Sequence, residues 1–447
     1  MKKITVLLLG VVLLLCSLVP SAAAEEAKDH PIAESISSSN AELSEASAIS
    51  LRSRLDRYNS PDRNIISVAD KGDCSQAPEN SLTAIDLAVK AGADMVKLDV
   101  RSTRDKVLVL CADSNLVRVS PDADSRLISE CDYSEIKDYR LYEGVGGLLS
   151  NVSEDKLATL KQAFDRFGDS IMLMLDFDWE LRDAVLAEVT SADALESTVL
   201  ICRTSTSEAA SWLEGLTNKP MTALYRKTNI VFTGIAYSKA ALEIEGSVFL
   251  ASSNPYGFVF KPSVMKYAGK SGMRAIASTA EAELCGSRND TAEYWNDLVR
   301  RGYSVIITSN IHELVKFIDD SAKAEAKLRD YYKEIKEWRL PALKSYIYLD
   351  YVIEYNRAVA ETEAVLSKRA IGEQEAYTCI YKLEKSINSI KHDYLELKNG
   401  VAGTTISLGR IIIAVLAVVI VALVQIYFFK RRKKLKNSLG NGGIRLD

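Results

Sequence analysis

Short apolar runs alternate with amphipathic stretches along the chain between residues 64 and 319. The apolar runs have the length of β-strands, and the stretches between them place apolar residues at helical spacing. Strands are predicted at residues 64–69, 95–100, 107–111, 171–177, 198–202, 221–225, 247–251, 274–277 and 304–308. Helices are predicted at residues 83–91, 159–167, 180–189, 208–214, 263–271 and 291–301. This alternation favours an α/β fold, a (β/α)8 TIM-type barrel whose first three strands, all parallel, deliver side chains to one rim.

Residues 320–400 carry a different pattern, which predicts an α-helical stalk after the barrel. A charged helix at 322–339 is followed by two helices, one on each side of Gly372, with apolar residues at helical steps. Such helices pack as an antiparallel hairpin or a bundle. The stretch Ile-Gly-Glu-Gln-Glu-Ala-Tyr at 371–377 resembles the end of a FIVAR module, a helical unit of bacterial surface proteins.

The two ends of the chain predict export and membrane anchoring. Residues 1–24 have the layout of a secretory signal peptide, with lysines, an apolar run and alanines before the predicted cleavage site. Residues 25–63, rich in Ser, Ala and Glu, are predicted to be a spacer. Residues 406–429 are predicted to span the bilayer, and the basic tail at 430–447 is expected on the cytoplasmic side. The predicted location is the cell membrane, with a single span and the N-terminal domain outside the cell.

Net charge and cysteine content narrow the function classes. The formal net charge is -4, from 56 Lys and Arg against 60 Asp and Glu, so no nucleic-acid partner is predicted. An even number of cysteines outside the signal peptide permits disulfides in an exported protein, and free thiols are the equal alternative. These residues are Cys74, Cys111, Cys131, Cys202, Cys285 and Cys379.

Polar residues follow the first apolar runs in a characteristic order. Asp-Lys-Gly at 70–72 ends the first run, Pro-Glu-Asn at 78–80 precedes the first helix, Lys-Leu-Asp at 97–99 lies in the second run, and Ala-Asp at 112–113 follows the third. This order resembles the opening of the glycerophosphodiester phosphodiesterase family, whose motifs are His-Arg-Gly, Pro-Glu-Asn, Glu-x-Asp and His-Asp. Later stretches also resemble that family, so that the similarity covers about residues 64–317.

The resemblance implies a barrel that holds a divalent cation through Glu-x-Asp and a later Glu. It also implies two histidines that move protons, with an Arg and a Lys that hold phosphate. In this chain Asp99 is retained and Asp176 falls where the later Glu is expected. Several other positions are changed: Asp70 and Ala112 replace the histidines, Lys71 replaces the Arg, Lys97 replaces the first metal ligand, and Asp178 replaces the late Lys.

The change at Lys97 has the largest electrostatic effect. Two unit charges 4 Å apart interact by roughly 4 kcal/mol at an effective dielectric of 20, so an ammonium in place of a ligand repels a dication. We predict that the Lys97 ammonium takes the place of the cation, paired with Asp99 and Asp176. The alternative is that Lys97 points to solvent. If the ammonium takes the place of the cation, no cofactor is expected. Ca2+ or Mg2+ is expected only if the protein is active.

The remaining candidate site residues are Asp70, Lys71, Glu79 and Asp113. Asp70 would need burial to raise its pKa before it could act as a base near neutral pH. Asp113 is predicted to form a supporting pair with Arg118, and Glu79 is the strongest candidate for a retained role in the site. The neighbouring Asn80 is predicted to cap the helix that follows.

Three functions are compatible with these features. The favoured one is a surface module that has lost catalysis and holds a phosphorylated or polyol ligand, because both proton-handling residues, a metal ligand and the late Lys are changed together. The second is an active phosphoric diester hydrolase that acts on glycerophosphodiesters or related lipid or wall polymers by an altered mechanism. The third assigns the function to the stalk and makes the barrel a spacer. The sequence identifies neither a protein partner nor an oligomeric state.

Overall fold

The computed structural model describes residues 50–59, 64–226, 247–252, 262–265, 273–280, 290–337, 349–368 and 370–398. All of these residues belong to one compact unit, Ala48–Asp447. The predicted signal peptide, transmembrane helix and cytoplasmic tail lie outside the described residues. Within the described ranges, none of the helices combines enough length and apolar character to span a bilayer.

The strands follow the apolar runs closely. In chain order the described strands are β1 Ile66–Asp70, β2 Met95–Ser102, β3 Leu108–Leu110, β4 Arg140–Tyr142, β5 Val152–Lys156, β6 Met172–Phe177, β7 Thr198–Cys202, β8 Met221–Arg226, β9 Ser247–Ser252, β10 Arg274–Ser278 and β11 Val305–Thr308. Eight of them pair in parallel in the order β1-β2-β6-β7-β8-β9-β10-β11, and β11 pairs again with β1. The ring is therefore closed, and the predicted barrel is confirmed.

Alternate residues of β1 and of β6 fill the interior of this ring. Ile66 and Val68 of β1, and Met172 and Met174 of β6, are fully buried in one apolar cluster. Leu173, which lies between the two methionines, belongs instead to the cluster between the sheet and the helices. This alternation is the two-residue period of a strand with both faces buried.

The third predicted strand does not belong to the ring. β3 pairs with β2 in the antiparallel direction, so the prediction of three parallel strands is wrong. The connection between them is a tight turn, in which Thr103 N–H donates to Val107 C=O and Lys106 has φ 67°. A parallel pair needs a crossover of a dozen or more residues, and this turn is too short to provide one.

The helices surround the ring and then continue beyond it. The described helices are α1 Leu51–Asn59, α2 Leu82–Lys90, α3 Tyr133–Ile136, α4 Leu160–Phe167, α5 Arg182–Ser191, α6 Thr206–Glu214, α7 Ala292–Arg301, α8 Ile311–Glu337, α9 Leu349–Leu366 and α10 Glu373–Lys398. Between β3 and α4, residues 111–159 form an insertion that contains α3 and the β4–β5 pair. Because this insertion follows the second barrel strand, it lies at the carboxyl end of the ring, which we call the mouth.

The opposite end of the ring is closed by α1 through two buried arginines. Arg54 donates from Nε to the carbonyl of Ala93 at 2.7 Å. Arg274 donates from Nη2 to the carbonyl of Tyr58 at 2.8 Å and from Nη1 to the carbonyl of Asn64 at 3.0 Å. Both arginine side chains are fully buried, so α1 is an integral part of the barrel.

The helical stalk extends from the end opposite the mouth. α8 begins just after β11 at the mouth and is about 40 Å long at 1.5 Å per residue. By Ile318 it has reached Ile65, which precedes β1, and the predicted boundary at residue 319 therefore falls inside a continuous helix. Further along, Ala324 and Leu328 pack with Ala376 of α10. Helices α8, α9 and α10 form a bundle within the described residues, in agreement with the predicted hairpin or bundle.

Candidate functional site

Neighbouring strands deliver a group of charged side chains to the mouth. Asp70 is the last residue of β1, and its register partner on β2 is Lys97. Asp99 lies two residues further along β2, on the same face as Lys97, and its register partner on β6 is Asp176. Arg203 follows β7 directly. The closed ring therefore brings these five side chains to one place.

The Lys97 ammonium lies among three carboxylates. Its Nζ is 3.0 Å from Asp99 Oδ1, 3.1 Å from Asp70 Oδ1 and 3.6 Å from Asp176 Oδ2. The Lys97 side chain is only 6 % exposed. The pairing with Asp99 and Asp176 is as predicted, and the alternative that Lys97 points to solvent is wrong. Asp70 is a third partner that the sequence did not reveal.

These contacts shift the pKa values of the group. Burial opposes the charge on Lys97, but the attraction of the three carboxylates outweighs it and raises the pKa of the ammonium. Burial also opposes the charge on Asp99, but Lys97 and the amide of Asn80 hold the pKa of this carboxyl below its usual range. Burial raises the pKa of Asp70, because the attraction of Lys97 is offset by repulsion from Asp99.

The stabilities of Asp99→Asn and Asp70→Asn, each relative to the wild type, are expected to depend on pH in opposite directions. Asp99→Asn should destabilise the protein at neutral pH, and its deficit should shrink as the pH falls through the lowered native pKa of Asp99, where the wild-type carboxylate loses its charge. Asp70→Asn should instead gain stability relative to the wild type as the pH rises through the raised native pKa of Asp70, because an ionised Asp70 costs stability. Urea unfolding between about pH 3 and about pH 8 measures both trends. Differences that do not vary with pH would contradict these assignments.

A second ion-pair group adjoins the first. Glu79 is buried, with Lys71 Nζ 3.3 Å from its Oε2 and Arg118 Nη2 2.6 Å from its Oε1. Arg118 Nε also donates to Asp113 Oδ2 at 2.6 Å, so the predicted pair of Asp113 and Arg118 is present. Burial opposes the charge on Lys71, but the attraction of Glu79 and Asp70 raises its pKa. Glu79 therefore fixes two cations beside the mouth.

Two backbone positions hold the loop after β1 in place. Gly72 has φ 87°, and a Cβ there would lie 2.7 Å from the backbone of Ala84, so only glycine fits. The predicted capping role of Asn80 is wrong, because the N-cap of α2 is Ser81, which accepts from Ala84 N–H. Asn80 has φ 58°, accepts from Asp99 N–H at 3.0 Å and donates to Asp99 Oδ2 at 3.2 Å. A residue in the left-handed region cannot serve as an extended N-cap, and Asn80 positions Asp99 instead.

A cavity of about 300 Å3 opens at the mouth above these groups. Its lining is strongly polar and contains equal numbers of acidic and basic side chains. The lining residues are Asp70, Lys71, Lys97, Asp99, Arg101, Ala112, Asp176, Phe177, Asp178, Arg203 and Ala280. Such a size suits a small polar molecule.

Two arginines of this cavity were not predicted from the sequence. Arg203 donates from Nε and Nη2 to the two oxygens of Asp176, at 2.6 and 2.5 Å. Arg101 donates to Asp178 at 2.7 Å, and its buried Nε has no hydrogen-bond partner among the described residues. Both could have been found, since Arg101 lies two residues after Asp99 on the same face of β2 and Arg203 stands at the carboxyl end of a barrel strand.

No described cysteine, and not His312, lines this cavity. Among the described residues the cysteines are free thiols, namely Cys74, Cys111, Cys131, Cys202 and Cys379, whereas Cys285 lies outside the described ranges. Burial raises the pKa of Cys111 and of Cys202 to about 12, so neither thiol is ionised at neutral pH. His312 Nε2 lies 2.9 Å from Asp73 Oδ2 and is not among the residues that line the cavity.

A comparison with protein-family models finds a match over the part of the chain that carries these strands and polar residues. The model of the glycerophosphoryl diester phosphodiesterase family matches residues 71–312, which is more than half of the chain. The chain belongs to this family. The match begins within the turn after β1 and ends in the first turn of α8, so it covers the barrel from the end of β1 through β11 and leaves the stalk outside.

Individual members of the glycerophosphoryl diester phosphodiesterase family are similar over shorter stretches. The chain is 29% identical over 107 residues to a glycerophosphodiester phosphodiesterase from Caldanaerobacter subterraneus, covering 24% of this chain and 42% of the relative. It is 35% identical over 104 residues to mouse glycerophosphodiester phosphodiesterase 1, covering 23% of this chain and 30% of the relative. The chain thus spans less than half of the length of the curated relatives it matches. A glycerophosphoryl diester phosphodiesterase from Parabacteroides distasonis superposes with a TM-score of 0.47 and 19% identity, over 60% of this chain and 90% of that one.

The divalent cation that the family resemblance implies does not fit this mouth. Protein oxygens bind Ca2+ at about 2.3–2.6 Å and Mg2+ at about 2.0–2.1 Å, which requires them to converge on the metal. Here Asp70, Asp99 and Asp176 converge on Lys97 Nζ, and Arg203 engages both oxygens of Asp176. The described residues contain no group of three or more His, Cys, Asp or Glu side chains arranged to hold a metal ion.

Proposed function

We propose that this chain is a metal-independent, catalytically inactive member of the family that binds a small ligand at its mouth. The observation that carries the proposal is the position of Lys97 Nζ, within 3.6 Å of three carboxylates. A dication there would face a fixed ammonium instead of a ligand, so the acids stabilise the fold and no longer recruit metal.

The lining of the cavity favours a polyol or phosphorylated ligand of low net charge. Four acidic and four basic side chains line it, so the mouth gives little net attraction to a highly charged molecule. Arg101 offers a buried Nε–H that has no partner among the described residues, and the ammonium of Lys71 in the same lining offers further N–H donors. Hydroxyl and phosphoryl oxygens are acceptors that suit these donors.

We also propose that the protein is anchored in the cell membrane, with the barrel outside the cell. The support is the apolar run at 411–429, within the predicted span at 406–429, and the basic tail at 430–447, together with the signal-peptide pattern at 1–24. α10 ends at Lys398, shortly before that apolar run, so the stalk connects the barrel to the predicted span.

One observation favours the alternative, an active phosphoric diester hydrolase. Asp70 stands where the family has a histidine, it is buried, and burial raises its pKa toward the range of a general base. The same carboxyl is held by Lys97 at 3.1 Å, which limits its freedom to accept a proton. This alternative predicts turnover without added metal that is lost in Asp70→Asn.

Calorimetry and a turnover assay on the full chain test the proposal together. Titration with glycerol 3-phosphate and with glycerophosphocholine should give saturable binding, and Arg101→Ala should weaken it at least tenfold. Arg104→Ala is the matched control, because Arg104 pairs with Asp132 and does not line the cavity. No release of glycerol phosphate is expected with or without Ca2+ or Mg2+. Metal-dependent turnover that Asp99→Ala abolishes would overturn the proposal.

A further inference from the structure

The mouth carries an apolar loop at residues 143–151. Its central part, residues 144–150, reads Gly-Val-Gly-Gly-Leu-Leu-Ser and contains no charged side chain. Leu148 is 89% exposed and Leu149 is 103% exposed, and the flanking Val145 and Val152 are 51% and 44% exposed. Two consecutive, fully exposed leucines form a convex apolar tip, which a soluble surface rarely presents without a binding partner.

Hydrogen bonds fix the base and the body of this loop. Glu143 N–H donates to Asn151 C=O at 2.9 Å, and Asn151 Nδ2 returns a bond to Glu143 Oε2 at 2.9 Å. Within the loop, Ser150 donates from N–H to Gly147 C=O at 3.0 Å and from Oγ to Gly146 C=O at 3.0 Å. The leucines are therefore displayed by an ordered loop.

The same loop is connected to the mouth through residues already described. Gly147 N–H donates to the carbonyl of Arg118 at 2.7 Å, and the Arg118 guanidinium donates to the carbonyl of Val145. A Cβ at Gly146 would lie 2.5 Å from the Arg118 carbonyl, so the close approach requires glycine. Arg118 in turn binds Glu79, whose other oxygen faces Lys71 of the cavity lining.

We propose that residues 143–151 form a docking loop that inserts Leu148 and Leu149 into a phospholipid bilayer facing the mouth. A bilayer accepts a convex, uncharged tip without a preformed pocket, whereas a protein partner must supply a complementary cavity. A charged cavity beside an apolar tip also matches an amphiphile, with its phosphate in the cavity and its acyl region at the leucines. That last match rests on the proposed ligand site and the choice of bilayer rests on the proposed anchoring, whereas the insertion of the leucines rests on neither.

The direction of the stalk bears on which bilayer the loop would reach if the chain is anchored as proposed. The bundle leaves the barrel at the end opposite the mouth, and α10 runs from Ala376, beside Leu328, to Ile387, beside Ile335, and so away from the ring. The predicted membrane span follows α10. Within the described residues, the loop and the C-terminal end of α10 therefore lie toward opposite ends of the barrel and its stalk. On the proposed anchoring, the bilayer that receives the loop is a second one.

Vesicle capture in trans tests this directly. The full chain is reconstituted in dense liposomes, and fluorescent protein-free vesicles of phosphatidylcholine and phosphatidylglycerol are added. We expect the wild type to capture them and the double variant Leu148→Asp with Leu149→Asp to capture at least tenfold fewer. Ile353→Asp, which changes an exposed apolar residue of α9, is the matched control and should capture as the wild type does. Failure of the wild type to capture vesicles, or equal capture by the double variant, would overturn the proposal.

Two further readouts distinguish bilayer docking from binding of a second copy and from the proposed ligand site. Leucine-dependent clustering of the protein liposomes without capture of protein-free vesicles would show that a second copy occupies the loop, and would overturn bilayer docking. The double variant should still bind soluble glycerophosphocholine as the wild type does. If the wild type captures vesicles but binds no soluble ligand, the proposed ligand site fails and the docking loop stands.

Discussion

Replacing Lys97 by methionine is expected to lower the free energy of unfolding by about 3–5 kcal/mol, the typical cost of removing one partner from a buried ion pair. Methionine keeps the unbranched shape of the side chain but leaves Asp70 and Asp99 without the ammonium 3.1 and 3.0 Å away. Arg203 cannot replace it, because its guanidinium is already engaged with both oxygens of Asp176. Urea unfolding followed by circular dichroism at neutral pH measures the loss.

Lys90→Met is the matched control for this substitution. Lys90 also pairs with an aspartate, Asp86, but its side chain is 69% exposed. Exposed pairs of this kind contribute about 0–1 kcal/mol, so little change is expected. Equal effects of the two substitutions would show that the ammonium of Lys97 does not hold the mouth together.

Replacing Arg274 by methionine is expected to cost about 3 kcal/mol or more, at the opposite end of the barrel. Its guanidinium donates to the carbonyls of Tyr58, Asn64 and Arg57, and each buried carbonyl left without a donor costs about 1–3 kcal/mol. The guanidinium also lies 5.5 Å from the centre of the Tyr58 ring. Because these partners join α1 to the ring, the variant should also expose α1 to proteolysis before the barrel unfolds.

Arg329→Met serves as the control for Arg274→Met. Arg329 lies on α8, pairs with Glu325 and is 46% exposed. Its replacement should leave both the unfolding midpoint and the proteolysis of α1 nearly unchanged. If Arg274→Met behaves in the same way, α1 does not depend on the buried arginine.

The barrel could be predicted because its strands are buried on both faces and read as short apolar runs. The antiparallel direction of the third run could not be predicted, because direction depends on the length of the connection and on the left-handed turn at Lys106. The continuation of α8 past residue 319 was also missed. The composition changes there, but the helical hydrogen bonding does not.

The centre of the site could be predicted from the exchange of one residue type. Lys97 was expected beside Asp99 and Asp176 because a carboxylate position had become an ammonium within a ring of acids. The contact with Asp70 required the register of β1 with β2, which the sequence does not show. The sequence predicts a cap at Asn80 because asparagine favours that position, whereas the left-handed backbone at Asn80 turns its side chain toward Asp99.

Calorimetric titration of the full chain with CaCl2 and with MgCl2 tests most directly whether Lys97 has replaced the metal. We expect no saturable binding to the wild type at the mouth. We expect binding to Lys97→Glu, in which a fourth carboxylate replaces the ammonium among Asp70, Asp99 and Asp176. Saturable binding of either ion to the wild type that disappears in Asp99→Asn would contradict a metal-independent mouth.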